Sequence, residues 1–273
     1  MSRPFLKMNG LGNDFVVVEA RTAPFAPSAD QVRAIADRER GIGCDQVIAI
    51  EPGEGVDARV RFWNSDGEEI AACGNGTRCI GWLLMQASGK DHAVMESRAG
   101  LLVANRVDER LVGVDMGKPG LDWRDIPLAS EQDTAALEVK LSPDQSLAAP
   151  PGCVSMGNPH VVFFVDDVAE VGVRAIGPAI ERHPLFPQGV NVGFAQIEAP
   201  DLIRLRVWER GAGLTLACGT GACAAVVAAA RRGLTERTAT VMVDGGELLI
   251  EWREDGHVIM TGPAAVDFAG ELP

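Results

Sequence analysis

The stretch "ACGNGTRC" at Ala72–Cys79 returns as "ACGTGACA" at Ala217–Ala224, 145 positions later. The same offset carries Gly12-Asn13 onto Gly157-Asn158, Gln46 onto Asn191, and Trp63-Asn64 onto Trp208-Glu209. Past the cysteines the offset becomes 147, matching Val94-Met95 with Val241-Met242 and Leu101-Leu102 with Leu248-Leu249. Agreement at separate places without a gap is the mark of an internal duplication, here at domain scale. A chain so built folds as two copies of one unit, and whatever the cysteine motif does it does twice.

A length of 273 residues accommodates two cores of ordinary size. Hydrophobic residues at 47% and charged residues at 23% describe a globular chain. A net charge of −13 argues against a nucleic-acid partner, because phosphate binding needs a basic face. Arg231-Arg232, the one basic cluster, falls where a helix should end and cations are favoured anyway. No apolar stretch has the length of a membrane span, and "MSRPFLKMNG" lacks the run of a secretory signal. The expectation is a cytoplasmic protein with reduced thiols. Its six cysteines contain no C-x-x-C pair, so neither a metal site nor a disulfide framework is expected.

The Pro-, Ser-, Ala- and acid-rich stretch Gly117–Gly152 reads as the junction, which puts the first domain at 1–117 and the second at 118–262. "DFVVVEA", "QVIAIE", "ARVRFW", "VVFFV" and "LIRLRVW" have strand composition. "SADQVRAIADRERG" reads as a helix with Ser28 as N-cap, Gln31 as capping-box partner and Gly41 as stop. "NSDG", "DGG" and "EDG" read as turns. Each cysteine motif precedes a helix-length stretch, "TRCIGWLLMQAS" or "GACAAVVAAARRG". The second is apolar nearly all round and should be buried. The fold class expected is α/β (α+β), with two pseudo-symmetric domains, each a curved mixed β-sheet wrapped around a central helix.

A cysteine between a strand and a helix sits at the helix N-terminus, whose unpaired N–H groups attract negative charge. That placement should lower the thiol pKa, and the neighbouring glycines should let N–H groups approach an anion. One such cysteine could be a loose cap in a core. Two in one register favour Cys73 and Cys218 as a pair around a shared cleft, with Cys44, Cys79, Cys153 and Cys223 as core packing. A cysteine hydrolase would need a histidine partner, and His160 is the one histidine inside a candidate motif. A thiolate and a thiol on opposite faces of a carbon acid would instead racemise or epimerise it. Pyridoxal phosphate usually assists such reactions through a lysine Schiff base. The four lysines, 7, 90, 118 and 140, lie in no repeated motif, so a cofactor-free route is expected.

"NGLGNDF", "GCDQ", "FWNSDGEEIAACGNGTRC", "MGNPHVV", "GVNVGF" and "WERGAGLTLACGTGACAA" resemble the diaminopimelate epimerases, in order and over essentially the whole chain. The resemblance implies two pseudo-symmetric domains, the tail 263–273 joining the first. It implies no cofactor and no metal, and interconversion of L,L- and meso-diaminopimelate for lysine and peptidoglycan synthesis. It makes Cys73 the base for the L,L isomer and Cys218 the base for the meso isomer. Gly74-Asn75 and Gly219-Thr220 would hold the reacting carboxylate through their N–H groups. Asn13, Gln46, Asn64, Asn158, Asn191, Glu209 and Arg210 match substrate-binding positions. His160 and Glu209 match positions that tune the thiols. A homodimer is implied, with a contact at Phe268. The chain has no Tyr; Trp208 and Phe268 stand where relatives often have one, and Leu214 stands where a polar residue is common. The rival readings are a cofactor-free racemase of proline or hydroxyproline, and a non-catalytic carboxylate-binding module, which gives no reason for Cys at both 73 and 218.

Overall fold

The computed structural model describes residues 3–138, 147 and 149–272. Part of the Gly117–Gly152 junction (139–146 and 148, Lys140 included) lies outside the described residues. The chain divides into two compact units, Met1–Asp115 with Thr261–Pro273, and Met116–Met260.

The first unit opens with a hairpin of β1 (Arg3–Gly10) and β2 (Asn13–Glu19). Its two-residue turn puts Leu11 at φ 64° and Gly12 at φ 80°, the doubly positive geometry that matches strand twist. Glycine adopts this freely; buried Leu11 does so at a cost of about 1 kcal/mol or more. Helix α1 (Ala29–Ala36) follows, with the Ser28–Gln31 capping box formed as expected. It stops at Ala36 and not at Gly41, because Asp37 turns extended (ψ 119°). Gly41 serves the loop instead: a Cβ there would stand 2.1 Å from the Ala34 carbonyl oxygen.

Strand β3 (Gln46–Glu51) runs parallel to β2, and β4 (Ala58–Asn64) antiparallel to β3 with the short β5 (Glu69–Ile70) on its end. Helix α2 (Gly74–Ser88) is followed by β6 (His92–Ser97), parallel to β4, then β7 (Gly100–Arg106) and β8 (Leu111–Asp115), each antiparallel to its predecessor. Helix α2 packs against β1, β6, β7 and β8, while α1 packs on β3.

The second unit repeats this order. Strand β9 (Gly152–Ser155) pairs antiparallel with β10 (Pro159–Phe164). Helix α3 (Val173–Glu181) leads to β11 (Asn191–Ala199), parallel to β10, and β12 (Leu202–Glu209) returns antiparallel with the short β13 (Gly213–Leu214) on its end. Helix α4 (Gly219–Arg231) precedes β14 (Thr238–Val243), parallel to β12, and its partner β15 (Gly246–Trp252). Strand β16 (Val258–Pro263) contains the division between units, and β17 (Ala265–Leu272) pairs with β1. The register repeats at the sequence offset: Phe15 faces Gln46 as His160 faces Asn191, and Val47 faces Trp63 as Val192 faces Trp208.

Helix α4 is buried from Gly221 through Ala229 and touches β9, β10, β11, β12, β14 and β15. Its small side chains let the sheet close around it. The architecture is α+β and sheet-dominated, with one buried helix at the centre of each sheet.

Candidate active site

In each unit the chemistry-bearing residues lie at one end of the sheet. Asn13 starts β2 and Gln46 starts the parallel β3, while Asn64 ends the antiparallel β4. Parallel strands and their antiparallel neighbour bring those three ends to the same edge. Cys73 is the N-cap of α2, and Gly74 and Asn75 begin the helix. The second unit reproduces the placement. Asn158 precedes β10, His160 lies on it, Asn191 starts β11 and Glu209 ends β12. Cys218 is the N-cap of α4, followed by Gly219 and Thr220.

Around Cys73, the Gly76 N–H donates to Sγ at 3.4 Å, and the Thr77 hydroxyl donates to the Cys73 carbonyl at 2.8 Å. The thiol faces Asn13 Oδ1 at 3.9 Å, and Asn75 Nδ2 reaches the same oxygen at 3.4 Å. Asn13 in turn donates to Asp45 at 2.7 Å. Asp45 belongs to a network in which Arg38 bridges Asp14 and Asp45, and Lys7 pairs with Asp14 at 2.6 Å. Burial works against ionisation of Asp14, yet the hydrogen bonds from Arg38 and Lys7 outweigh it and hold the carboxyl down at about 2. Gln46 donates to Asn64 at 3.0 Å, and its own Oε1 is buried and accepts no hydrogen bond among the described residues.

Asn13 and Asn158 are not left-handed turn residues. The positive φ values fall on Leu11, Gly12 and Gly157, and not on Asn13 or Asn158.

In the second unit a chain of polar contacts leads from His160 to the thiol. His160 Nε2 lies 3.1 Å from Asn158 Oδ1, an acceptor, so this nitrogen carries the ring proton. Asn158 donates to the Thr220 hydroxyl at 3.3 Å, which stands 3.6 Å from Cys218 Sγ. On the other side, Glu209 accepts from the Thr215 hydroxyl at 2.5 Å and from the Cys218 thiol. Buried Asn191 ties β10 to the Glu209–Arg210 corner: it donates to the Pro159 carbonyl at 2.9 Å and accepts from the Arg210 N–H at 2.9 Å. The Arg210 guanidinium is exposed and donates to the Gln188 carbonyl at 2.7 Å.

The helix N-terminus was expected to lower the thiol pKa. At Cys218 the outcome is the reverse. Burial pushes the thiol well up, and the adjacent Glu209 carboxylate adds to the effect by repulsion of the thiolate and by accepting the S–H hydrogen bond. The Thr220 hydroxyl and the Gly221 N–H pull the other way and lose. Cys218 therefore rests as a thiol, an acid with a carboxylate already on its proton. His160 is held neutral: burial, then the positive charge of Arg210, brings its pKa down to about 3.

The second glycine of each motif has a packing reason that the anion argument missed. A Cβ on Gly76 would stand 3.0 Å from both Ile48 and Phe62, and one on Gly221 would stand 3.0 Å from Val207. Only glycine lets the first helical turn sit this close to the sheet. Cys44, Cys79, Cys153 and Cys223 are all buried.

The departures at Trp208 and Leu214 pack against the core of the second unit. Trp208 lies over Gly177 of α3, where a Cβ would come within 2.5 Å of the indole, and donates to Glu181 at 2.7 Å. The other Glu181 oxygen accepts from the Gly211 N–H at 3.2 Å, so this carboxylate holds both sides of Glu209–Arg210. Neither Glu181 nor Thr215 carries a motif that would have marked it in the sequence.

The sequence profile of the family described as diaminopimelate epimerase matches residues 5–121 and 152–266. A diaminopimelate epimerase of Phenylobacterium zucineum is 73% identical over 100% of this chain and 99% of its own length. Another, from a Caulobacter species, is 62% identical over 100% of this chain and 98% of its own. Among solved structures, a probable proline racemase from Agrobacterium radiobacter superposes with a TM-score of 0.67, covering 99% of this chain and 93% of its own at 17% identity. At that identity the likeness concerns the fold alone.

Proposed function

The chain belongs to the diaminopimelate epimerase family, and from that premise we propose that it is the isomerase that interconverts L,L- and meso-2,6-diaminopimelate without a cofactor. Cys73 and Cys218 are its two acid–base groups. The observation that carries this reading is that both cysteines occupy one position, the N-cap of the central helix, in two units that share a register.

The reaction runs between opposite faces of the substrate α-carbon. In the L,L direction the Cys73 thiolate takes the α-proton and the electron pair passes toward the carboxylate. The Cys218 thiol then delivers its proton to the other face and is left as thiolate. In the meso direction the roles exchange, with Glu209 placed to accept the Cys218 proton that primes it. The N–H groups of Gly74-Asn75 and Gly219-Thr220 hold the α-carboxylate, where the helix dipoles favour the charge that builds up on it. Asn13, Asn158 and Asn191 line these half-sites. Gln46 offers a buried, unfilled acceptor suited to a substrate ammonium, and Asn64 orients it. Arg210 would meet the distal carboxylate, while Glu209 stays at the reacting end beside Cys218, and His160 supports Cys218 through Asn158 and Thr220. A proline substrate has no second carboxylate for Arg210 and would leave Glu209-Arg210 and Asn64 unmatched by substrate. The purified protein should change the optical rotation of L,L-diaminopimelate and leave that of L-proline constant; turnover of proline alone would overturn the assignment.

Arg210→Lys keeps the charge and loses the planar two-pronged donor. KM for diaminopimelate should rise roughly 30-fold, about 2 kcal/mol, with a smaller change in kcat. Steady-state kinetics check this, and an unchanged kcat/KM would remove Arg210 from the substrate site.

We further infer a homodimer. Phe268 is 49% exposed on β17, packs edge-on to Phe5 at 6.0 Å and lies beside exposed Val266, an apolar surface of the kind that partners cover. A cytoplasmic location is supported by six free cysteines, a state kept in a reducing compartment.

A further inference from the structure

Arg78, five residues past Cys73 on α2, is completely buried. Burying a guanidinium costs several kcal/mol unless its surroundings use it. Helical side chains lean toward the N-terminus of their helix, so this cation lies over the first turn, the end already positive from the backbone dipole. A cation there is favoured when an anion is held beside it.

The contacts say what it touches. Nη1 donates to Asn75 Oδ1 at 2.7 Å, and Nε reaches the Pro263 carbonyl at 3.4 Å. Asn75 donates on to Asn13 Oδ1, the oxygen that the Cys73 thiol faces at 3.9 Å. Gly10, opposite Asn13 across the β1–β2 hairpin, leaves the guanidinium its room: a Cβ there would stand 3.2 Å from Nη2. The field reaches neighbouring sulfur, since burial pushes Cys79 up to about 12 against the opposing pull of Arg78. At the same offset of 145 the second unit has Cys223, a buried cysteine where the first has the arginine. Of the two motif helices, α2 carries a buried cation at this register and α4 does not.

We infer that Arg78 is a positioning residue of the first half-site, which orients Asn75 and Asn13 and supplies the positive charge that favours the Cys73 thiolate. The inference rests on the reading of Cys73 as a base and deepens it. With Cys218 held as thiol and Cys73 biased toward thiolate, the free enzyme is set for the L,L isomer without any rearrangement of protons.

The test is the pH dependence of Cys73 alkylation by iodoacetamide, mapped by peptide mass spectrometry without substrate. Arg78→Met should raise the Cys73 midpoint by about one pH unit or more and leave buried Cys218 as it was. Arg78→Lys should keep that midpoint within a few tenths of wild type and lower kcat/KM about tenfold, because the bond to Asn75 is lost. If Arg78→Met fails to give a cooperative thermal melt, Arg78→Lys decides alone. A folded Arg78→Met with the wild-type midpoint, or Arg78→Lys with wild-type kcat/KM, would overturn the role. Cys73→Ala that still epimerises would overturn the base reading and leave the alkylation result standing, so the two failures are separable.

Discussion

Replacing either Cys73 or Cys218 with Ala is expected to lower epimerisation by about four orders of magnitude in both directions. Each direction needs a base on one face and an acid on the other, so removing either thiol removes one half of both reactions. Cys73→Ala should still let Cys218 take the α-proton of the meso isomer and hand it back to the same face. The variant would then exchange that proton with solvent slowly and without inversion, which NMR in D2O separates from turnover. Serine at either position should leave only a trace of activity, since a hydroxyl is far less acidic than a thiol. The substitution is small and Cys73 is only partly buried, so thermal melting of Cys73→Ala should stay close to wild type. A single alanine variant with substantial activity in either direction would mean that one base suffices.

Acid is expected to destabilise the fold well above the carboxylate range, because His160 is held neutral in the core. Its folded pKa of about 3 lies below the unfolded value of about 6.5. Between those values the unfolded chain binds a proton that the folded chain refuses. The contribution is therefore complete above pH 6.5 and is lost progressively as pH falls toward 3, on the order of 5 kcal/mol in all. About 2 kcal/mol of that should be gone at pH 5. Asp14 acts lower: with a folded pKa of about 2, its contribution of about 2 kcal/mol is present above pH 4 and fades toward pH 2. Urea unfolding at pH 7 and pH 5 checks the first part. Wild type should lose stability between them, and His160→Gln, which has no titrating ring, should lose about 2 kcal/mol less. Equal losses in the two proteins would mean that the imidazole is not held neutral.

The repeat carried most of the architecture because sheet register obeys it. Residues 145 apart take the same partners, so four matched motifs placed Asn13, Gln46, Asn64 and Cys73, with their counterparts, at equivalent strand and helix ends. What stayed illegible depends on tertiary contact. Helix α3 contains Pro178 and a glycine under Trp208, a composition that reads as a loop until the indole is seen to need the space. Strands β5 and β13 are two residues each and have no period to detect. At Cys218 the helix N-terminus is visible in sequence and the family resemblance marks Glu209, whereas the burial that decides the direction of the shift is not visible. Nothing in the sequence marks Arg78 beyond its place in a helix-length stretch. Only its complete burial, and the cysteine at the same register in the other unit, set it apart.

The fate of one proton tests the two-thiol account most directly. L,L-diaminopimelate is turned over in D2O and sampled early. One thiolate keeps the proton it removes on its own face, and the opposite thiol, already exchanged with solvent, delivers deuterium to the other. New meso product should carry deuterium at the inverted carbon, while remaining L,L substrate still carries protium. Starting from the meso isomer the labels should reverse, because Cys73 and Cys218 exchange roles. Protium from the substrate appearing at the inverted carbon of the early product would contradict the account, since only a single base serving both faces can carry it across.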